Sequence, residues 1–222
     1  MLGLPTARVN RPDGKLKPVA SETDNLHAYL AQIPGSKSWL DHILYLPGRT
    51  MSLNDGRHIL AFAPTHRHHP TRQWIEGSDL VAYDGSTREV FVDENGFVFY
   101  AGTYQCHRLN NVYPGGTIPP STISVKEITD AIFGAIRPSG WSGILHRQFP
   151  SGPIRVEATG LNLVGFNGPL YNTLRTQFTE LKNARLRTMG SGSMETHRFS
   201  KFARLIILDR GLGAIPQDNR DA

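Results

Sequence analysis

Two runs rich in β-branched and aromatic side chains, at positions 89–92 and 97–104, dominate the hydrophobic pattern of the chain. The turn-forming segment Asp93-Glu94-Asn95-Gly96 separates them. Asn-Gly between two such runs indicates a β-hairpin, because both residues adopt positive φ at low cost. The second run ends in polar and reactive side chains. We therefore predict a hairpin over residues 88–108 that forms one wall of a site.

Three segments place apolar residues at helical spacing. Two of them begin with a serine followed three residues later by an acidic residue, which is the spacing of a capping box. The third follows Pro169, and proline is well suited to the first turn of a helix. The predicted helices span residues 21–32, 124–136 and 169–186.

Shorter apolar runs predict further strands, and runs of Gly, Pro and polar residues predict loops. Residues 38–46 fit either a helix or a strand. Because strands and helices alternate irregularly around a long hairpin, we predict a single α+β domain. Its sheet is expected to be mostly antiparallel and barrel-like, with two or three packed helices. The predicted strands are 57–63, 80–83, 154–166 and 203–208, and the predicted loops are 64–70, 110–120, 138–143 and 189–193.

Composition sets limits on this domain. The chain has 222 residues, of which 39% are hydrophobic and 19% charged, so it can bury a substantial core. Residues 1–19 are expected to form a basic extended arm and residues 216–222 a polar tail, which leaves one domain at 20–215. The single cysteine excludes an internal disulfide, and no apolar run is long enough to span a bilayer. We expect a nuclear or cytoplasmic protein with no membrane partner.

A basic and aromatic surface is the first candidate for function. The net charge of +5 and the pI near 9.5 favour a polyanionic partner only weakly, but arginines and aromatic residues concentrate between positions 64 and 108. Arginine neutralises phosphates, and aromatic faces accept unpaired bases. In this hypothesis Arg67, Arg88 and Arg108 contact phosphates, Tyr83, Tyr100 or Tyr104 stacks on a base, and Asp84 accepts hydrogen bonds from its edge. Tyr100 and Tyr104 share one face of their predicted strand, and that face either lines a pocket or belongs to the core.

A cluster of histidines is the second candidate. Residues 66–69 read His-Arg-His-His, and Cys106-His107 ends the predicted hairpin. Imidazole moves protons and binds metals, so His66, His68, Cys106 and His107 are candidate catalytic residues of a hydrolase. The histidines lack the spacing of known metal-ligand sets. We also expect His66 and His68 to point to opposite faces if the segment is extended, and His68 and His69 to diverge. We therefore assign no metal and no cofactor, although a metal-dependent hydrolase stays among the alternatives.

Other chemistry finds little support in the residues. The chain lacks the glycine-rich loops that bind nucleotides and the serine elbow of hydrolases. Acidic residues are scattered, so no pair of carboxylates stands out for acid–base work. Asp84 and Glu89 near the hairpin, and Glu157 on a later strand, are the carboxylates that remain candidates for a site.

Residues 88–92 and 96–106, followed by the capped helix at Ser124, resemble an uncharacterised domain of fungal, especially basidiomycete, proteins. The resemblance covers about residues 79–136, and residues 110–120 are an insertion relative to the family pattern. It implies no activity. The same strand is similar to strands in PUA-like barrels, some of which hold a modified base between aromatic side chains, and Tyr83-Asp84-Gly85 is similar to a short signature of such base readers. That similarity implies nucleic-acid binding.

The sequence thus favours a nucleic-acid-binding domain, for DNA or RNA, that reads a base in an aromatic pocket. The alternative is a hydrolase that uses the histidines at 66–69 with Cys106 or His107. A third possibility is a protein-interaction module whose basic surface meets an acidic partner. Whether the protein is an enzyme, and its oligomeric state, stay open at this point.

Overall fold

The computed structural model describes residues 16–21, 25–33, 37–69, 71, 73–134, 137–150 and 152–190, without the side chains of residues 37, 38 and 185–190. Most of the predicted basic arm, the predicted strand at 203–208, the polar tail and the end of the predicted loop at 189–193 lie outside these residues. No helix within the described ranges is long and apolar enough to cross a membrane.

Within the ranges just given, seven strands form one mixed sheet around the hairpin, and two more form a small separate sheet. The strands are β1 Ala20–Ser21, β2 Ile43–Tyr45, β3 Thr50–Leu53, β4 His58–Pro64, β7 Thr87–Glu94, β8 Phe97–Arg108 and β9 Val156–Gly165, with β5 His66–His68 and β6 Trp74–Glu76 in the small sheet. The order in the large sheet is β2-β7-β8-β9-β4-β3, and β1 pairs with the first residues of β8. All neighbours run antiparallel except β2 and β7, which are parallel.

In the described residues five α-helices accompany the sheets, more than the two or three predicted, and the α+β class is confirmed. They are α1 Leu26–Ala31, α2 Lys37–Leu40, α3 Val125–Phe133, α4 Trp141–Gln148 and α5 Gly168–Gly190. Ser124 caps α3 as predicted, because its hydroxyl accepts the Glu127 N–H at 3.2 Å. α1 begins later than predicted and is capped by Asn25. The stripe of α5 is buried at Leu170 and Leu174 but opens toward solvent at Leu181, which is 43% exposed.

The predicted hairpin is confirmed, and it contains a bulge that the sequence pattern does not show. Asn95 and Gly96 form the turn with φ of 52° and 79°. Phe91 pairs with Tyr100 whereas Val90 pairs with Gly102, so Ala101 is the extra residue. Paired residues share a face of the sheet and consecutive residues alternate, so the bulge reverses the pattern along β8.

Tyr100 and Tyr104 consequently lie on opposite faces of the sheet, and the expectation that they share one face is wrong. Tyr100 packs in a core cluster with residues of α1 and α5. Tyr104 belongs to a second cluster that includes Cys106. A third cluster lies under α3 and α4. Both tyrosines are fully buried.

The sheet is open, so the barrel-like part of the prediction is wrong. Its edge strands β2 and β3 are not hydrogen-bonded to each other. They are nevertheless joined by the short link 46–49, which spans at most about 17 Å, whereas six flat strands would place the edges about 24 Å apart. The sheet is therefore strongly curved. The Tyr104 hydroxyl on β8 donates to the carbonyl of Gly56, in the turn between β3 and β4, at 2.5 Å. This hydrogen bond connects two parts of the curved sheet that are not neighbours in the strand order.

Three predicted elements are wrong. Residues 80–83 form a 3-10 turn instead of a strand, because the hydroxyl of Ser78 accepts the Leu80 N–H at 3.0 Å and starts a turn. The predicted loop at 64–70 contains β5, which pairs with β6. The predicted loop at 138–143 contains the start of α4, which follows Gly140 in a left-handed conformation. The ambiguous segment 38–46 holds both the end of α2 and β2.

Candidate functional site

An open cleft of about 450 Å³ lies where α2 and the start of β2 meet β7 and β8. The backbone positions its walls, because the Glu89 N–H donates to the carbonyl of His42 at 2.8 Å and continues the parallel β2–β7 pairing. The cleft combines an indole, an imidazole, a guanidinium, a carboxylate and hydroxyls. Its walls include Trp39, His42, Ser86, Arg88, Glu89 and Thr103.

The carboxylate of Glu89 is held in a fixed orientation. Glu89 and Thr103 are directly paired on β7 and β8. The hydroxyls of Tyr100 and Thr103 both donate to Glu89 Oε2, at 2.5 and 3.0 Å. Oε1 accepts no hydrogen bond from any residue that the structure describes. One oxygen of this carboxylate is thus satisfied by the fold and the other is open to a ligand.

Tyr100 connects the cleft to the start of α5. Its hydroxyl accepts the N–H of Asn167 at 3.1 Å, and the side chain of Asn167 accepts the Leu170 N–H in the first turn of α5. Burial, reinforced by the hydrogen bond to Glu89, raises the pKa of Tyr100 well above its usual value. The phenol therefore stays protonated at neutral pH and keeps donating to Glu89.

Arg88 carries a positive charge that no carboxylate among the described residues neutralises. Its Nε donates to Ser86 Oγ at 3.2 Å, and its Nη1 donates to the carbonyl of Asp41 at 2.6 Å. The guanidinium also lies 4.5 Å from the centre of the Tyr83 ring. These neutral contacts orient the guanidinium at the cleft but leave its charge available to an anion.

Arg108 differs from Arg88, because its Nε is paired with Glu157 Oε1 at 2.6 Å. Its backbone N–H donates to Asp84 Oδ1 at 2.9 Å. Asp84 and Glu157 are therefore both engaged by Arg108, the last residue of β8. The hypothesis that Arg108 contacts phosphate and that Asp84 reads a base edge finds no support in this arrangement.

The tyrosines nominated for base stacking are not available in this fold. Tyr100 and Tyr104 have no exposed surface. The ring of Tyr83 is half-buried, and the guanidinium of Arg88 lies over it. An aromatic surface at the cleft is supplied by Trp39 instead, which the sequence pattern left in a segment of ambiguous structure.

Cys106 and His107 do not form a catalytic pair. Cys106 is fully buried opposite Leu161, and burial raises the pKa of its thiol, which disfavours the reactive thiolate. His107 is the next residue on the strand and faces the other side of the sheet. Its Nε2 is buried and has no hydrogen-bond partner among the described residues.

The histidines of β5 lie against aromatic rings. His66 and His68 share a face of the strand, because residues two apart do so in extended chain, and the expectation that they point to opposite faces is wrong. His66 meets Phe149 edge-on with ring centres 6.0 Å apart. His68 is buried with ring centres 5.2 Å from Trp74 and 5.5 Å from Phe133. Within the ranges that the structure covers, no group of histidine, cysteine and carboxylate side chains is arranged to hold a metal ion.

The histidines and the end of the hairpin therefore do not share one site. Trp74 and Phe133, the partners of His68, pack in the cluster under α3 and α4, whereas Cys106 packs in the cluster on the other face of the sheet. Arg67, between the two histidines, is half-buried, and its Nε has no hydrogen-bond partner in the described part of the chain. The thiol of Cys106 therefore lies on the face of the sheet away from His68.

Sequence reasoning singled out Arg88 and Glu89 but missed Trp39, His42 and Thr103 as members of one site. Thr103 faces Glu89 only because of the bulge, since an unbroken register would pair Glu89 with Gly102. Trp39 and His42 reach the hairpin through the parallel pairing of β2 with β7. Nothing in the local pattern around residue 39 signals that long-range pairing.

Comparison with protein-family models, with curated proteins and with solved structures finds no match for this chain. The similarity of the hairpin to a fungal domain and to PUA-like strands therefore stays an expectation from its residues.

Proposed function

We propose that the protein binds single-stranded nucleic acid, DNA or RNA, and takes one base into the cleft between α2 and the hairpin. The observation that carries the proposal is that Arg88, a guanidinium without a carboxylate partner in the described residues, lines the same cleft as Trp39. An arginine for the phosphate next to an aromatic face for the base is the combination that single-stranded nucleic acid requires.

The size and composition of the cleft agree with this ligand. A volume of about 450 Å³ falls in the range of about 300–1,000 Å³ that is typical of small-ligand sites, which is enough for one nucleotide. Trp39 is half-buried against the core cluster of Tyr100, and the part that stays exposed at the cleft supplies a stacking surface. The hydroxyls of Ser86 and Thr103 and the imidazole of His42 add polar groups around it.

The attraction is local to the cleft and does not come from a large basic field. Residues 16–190 contain 16 Lys and Arg against 14 Asp and Glu, so most of the net charge of +5 comes from the two terminal segments. Binding by the cleft is consequently expected to involve few phosphates and to have a shallow salt dependence. We place such a protein in the nucleus or the cytoplasm.

Fluorescence anisotropy with labelled single-stranded DNA and RNA of mixed sequence tests the proposal. Affinity should fall between about 50 mM and about 200 mM salt, and Arg88→Gln should reduce the slope of log K against log salt by about 0.7, the value for one phosphate on a single strand. Arg147→Gln is the matched control, because Arg147 is exposed in α4, on a different core cluster. Absence of binding to either nucleic acid at low salt would refute the proposal, as would equal slopes for the two variants.

A further inference from the structure

We propose that the cleft selects guanine among the bases of its single-stranded ligand, an inference that rests on the proposed function. The determinant is Oε1 of Glu89, an acceptor without a partner among the described residues. The two donors on Oε2 leave the orientation of the carboxylate fixed before any ligand arrives. A preoriented acceptor discriminates between bases by the donors on their edges.

The network around Glu89 allows only one direction of hydrogen bonding. The Asn167 N–H must donate to the Tyr100 hydroxyl, so the phenol proton points to Glu89 Oε2. The Thr103 hydroxyl supplies the second donor to the same oxygen. An ionised carboxylate has about four acceptor positions, and those on Oε1 are the ones that remain. The cleft therefore presents Glu89 Oε1 as an acceptor to which no described residue donates.

The Watson–Crick edges of the bases differ in the hydrogen-bond donors that they offer to this acceptor. Guanine places N1–H and the amino group at N2 side by side, so both donors can converge on the one open oxygen, Glu89 Oε1. Adenine and cytosine offer one amino group next to a ring nitrogen that accepts. Uracil and thymine offer one N–H between two carbonyl oxygens, which the negative charge repels. The expected order of affinity is guanine first, then adenine and cytosine, and then uracil or thymine.

The indole and the guanidinium contribute little to this selection. Every base has a face that stacks on an aromatic ring, and every nucleotide carries the phosphate that Arg88 would meet. Trp39 and Arg88 therefore account for binding in general, and Glu89 accounts for the preference. This division of roles makes the preference separable from the binding itself.

The test measures the affinity of the wild-type protein for labelled six-nucleotide strands of uridine with one variable central position. That position is guanosine, inosine, adenosine, cytidine or uridine, and a deoxy series repeats the comparison. Guanosine should bind about tenfold or more tighter than uridine, as expected for hydrogen bonds to a charged group. Inosine, which lacks only the amino group at N2, should fall between them. This comparison needs no variant and so does not depend on how a variant folds.

The protein side is tested with Glu89→Gln, which replaces the acceptor by an amide, and with Glu94→Gln as the matched control. Glu94 is an exposed carboxylate at the other end of the same strand. Glu89→Gln should remove most of the guanosine preference, and Glu94→Gln should keep it. Equal affinity for all five strands would overturn the guanine inference and leave nucleic-acid binding standing. Absence of binding to every strand would overturn both.

Discussion

The hydroxyl of Tyr100 donates to Glu89 Oε2 across 2.5 Å and accepts the N–H of Asn167, so one fully buried phenol links the cleft to the start of α5. Neither Tyr100 nor Asn167 lines the cleft itself. Tyr100 thus acts on the cleft by orienting Glu89. It does not stack on a base, which is the role that the sequence indicated for it.

Replacing Tyr100 by phenylalanine tests this role. The change leaves the Asn167 N–H and Glu89 Oε2 short of one partner each, so the free energy of unfolding should fall by about 1–3 kcal/mol. Urea denaturation followed by circular dichroism measures it. Tyr113→Phe is the control, because Tyr113 is 48% exposed and should lose almost nothing. A loss of equal size in both variants would mean that the Tyr100 network adds no stability.

Because the pKa of Tyr100 is raised in the folded protein, the free energy of unfolding should decrease at alkaline pH. In the folded protein the phenol holds its proton above the unfolded value of about 10. Its contribution is therefore fully present below pH 10 and is lost as the pH rises above 10, because only the unfolded chain then releases the proton. Unfolding free energies from pH 8 to above pH 10 should fall less steeply for Tyr100→Phe than for the wild type. Parallel curves would contradict the shift.

Cys106 is expected to be unreactive in the folded protein. Its side chain has no exposed surface and the pKa of its thiol is raised by burial. A thiol reagent at neutral pH should modify it only when the protein opens, so that mild denaturant increases the rate in step with the unfolded population. Fast modification of the native protein would instead point to an accessible thiolate and would revive the hydrolase hypothesis.

The bulge that separates the two faces of β8 depends on Gly102. Its φ is +132°, and a Cβ there would come within 2.7 Å of Leu163 Cδ1 and 2.9 Å of the Gly165 carbonyl. Gly102→Ala should therefore cost about 1–3 kcal/mol of stability. The control is Gly160→Ala on β9, where the nearest atom is 3.7 Å away and φ is not positive. Equal melting temperatures for the two variants would show that the bulge tolerates a side chain.

The parts of the fold that the sequence predicts correctly are those with local signals. The hairpin follows from Asn95-Gly96, α3 from the capping pair at Ser124, and α5 from its apolar stripe. The bulge at Ala101, the pairing of β5 with β6 and the start of α4 depend on packing between distant segments, which no short pattern encodes.

The same limit explains what the sequence reveals of the site. Arg88 and Glu89 stand out because they begin a strong strand, but Trp39 is about 50 residues away and reaches them only through the β2–β7 pairing. Conversely, the tyrosines and Arg108 fit a nucleic-acid surface by residue type. Burial and the ion pair with Glu157 assign them to the structure of the sheet instead.

The stacking of a base on Trp39 is the central claim, and tryptophan fluorescence tests it most directly. A variant that keeps Trp39 but carries Trp74→Phe and Trp141→Phe reports on the cleft alone, because the chain has three tryptophans. Titration with single-stranded nucleic acid should quench this emission along the same curve as the rise in anisotropy. Binding detected by anisotropy with no change in Trp39 emission would place the nucleic acid elsewhere and contradict the account.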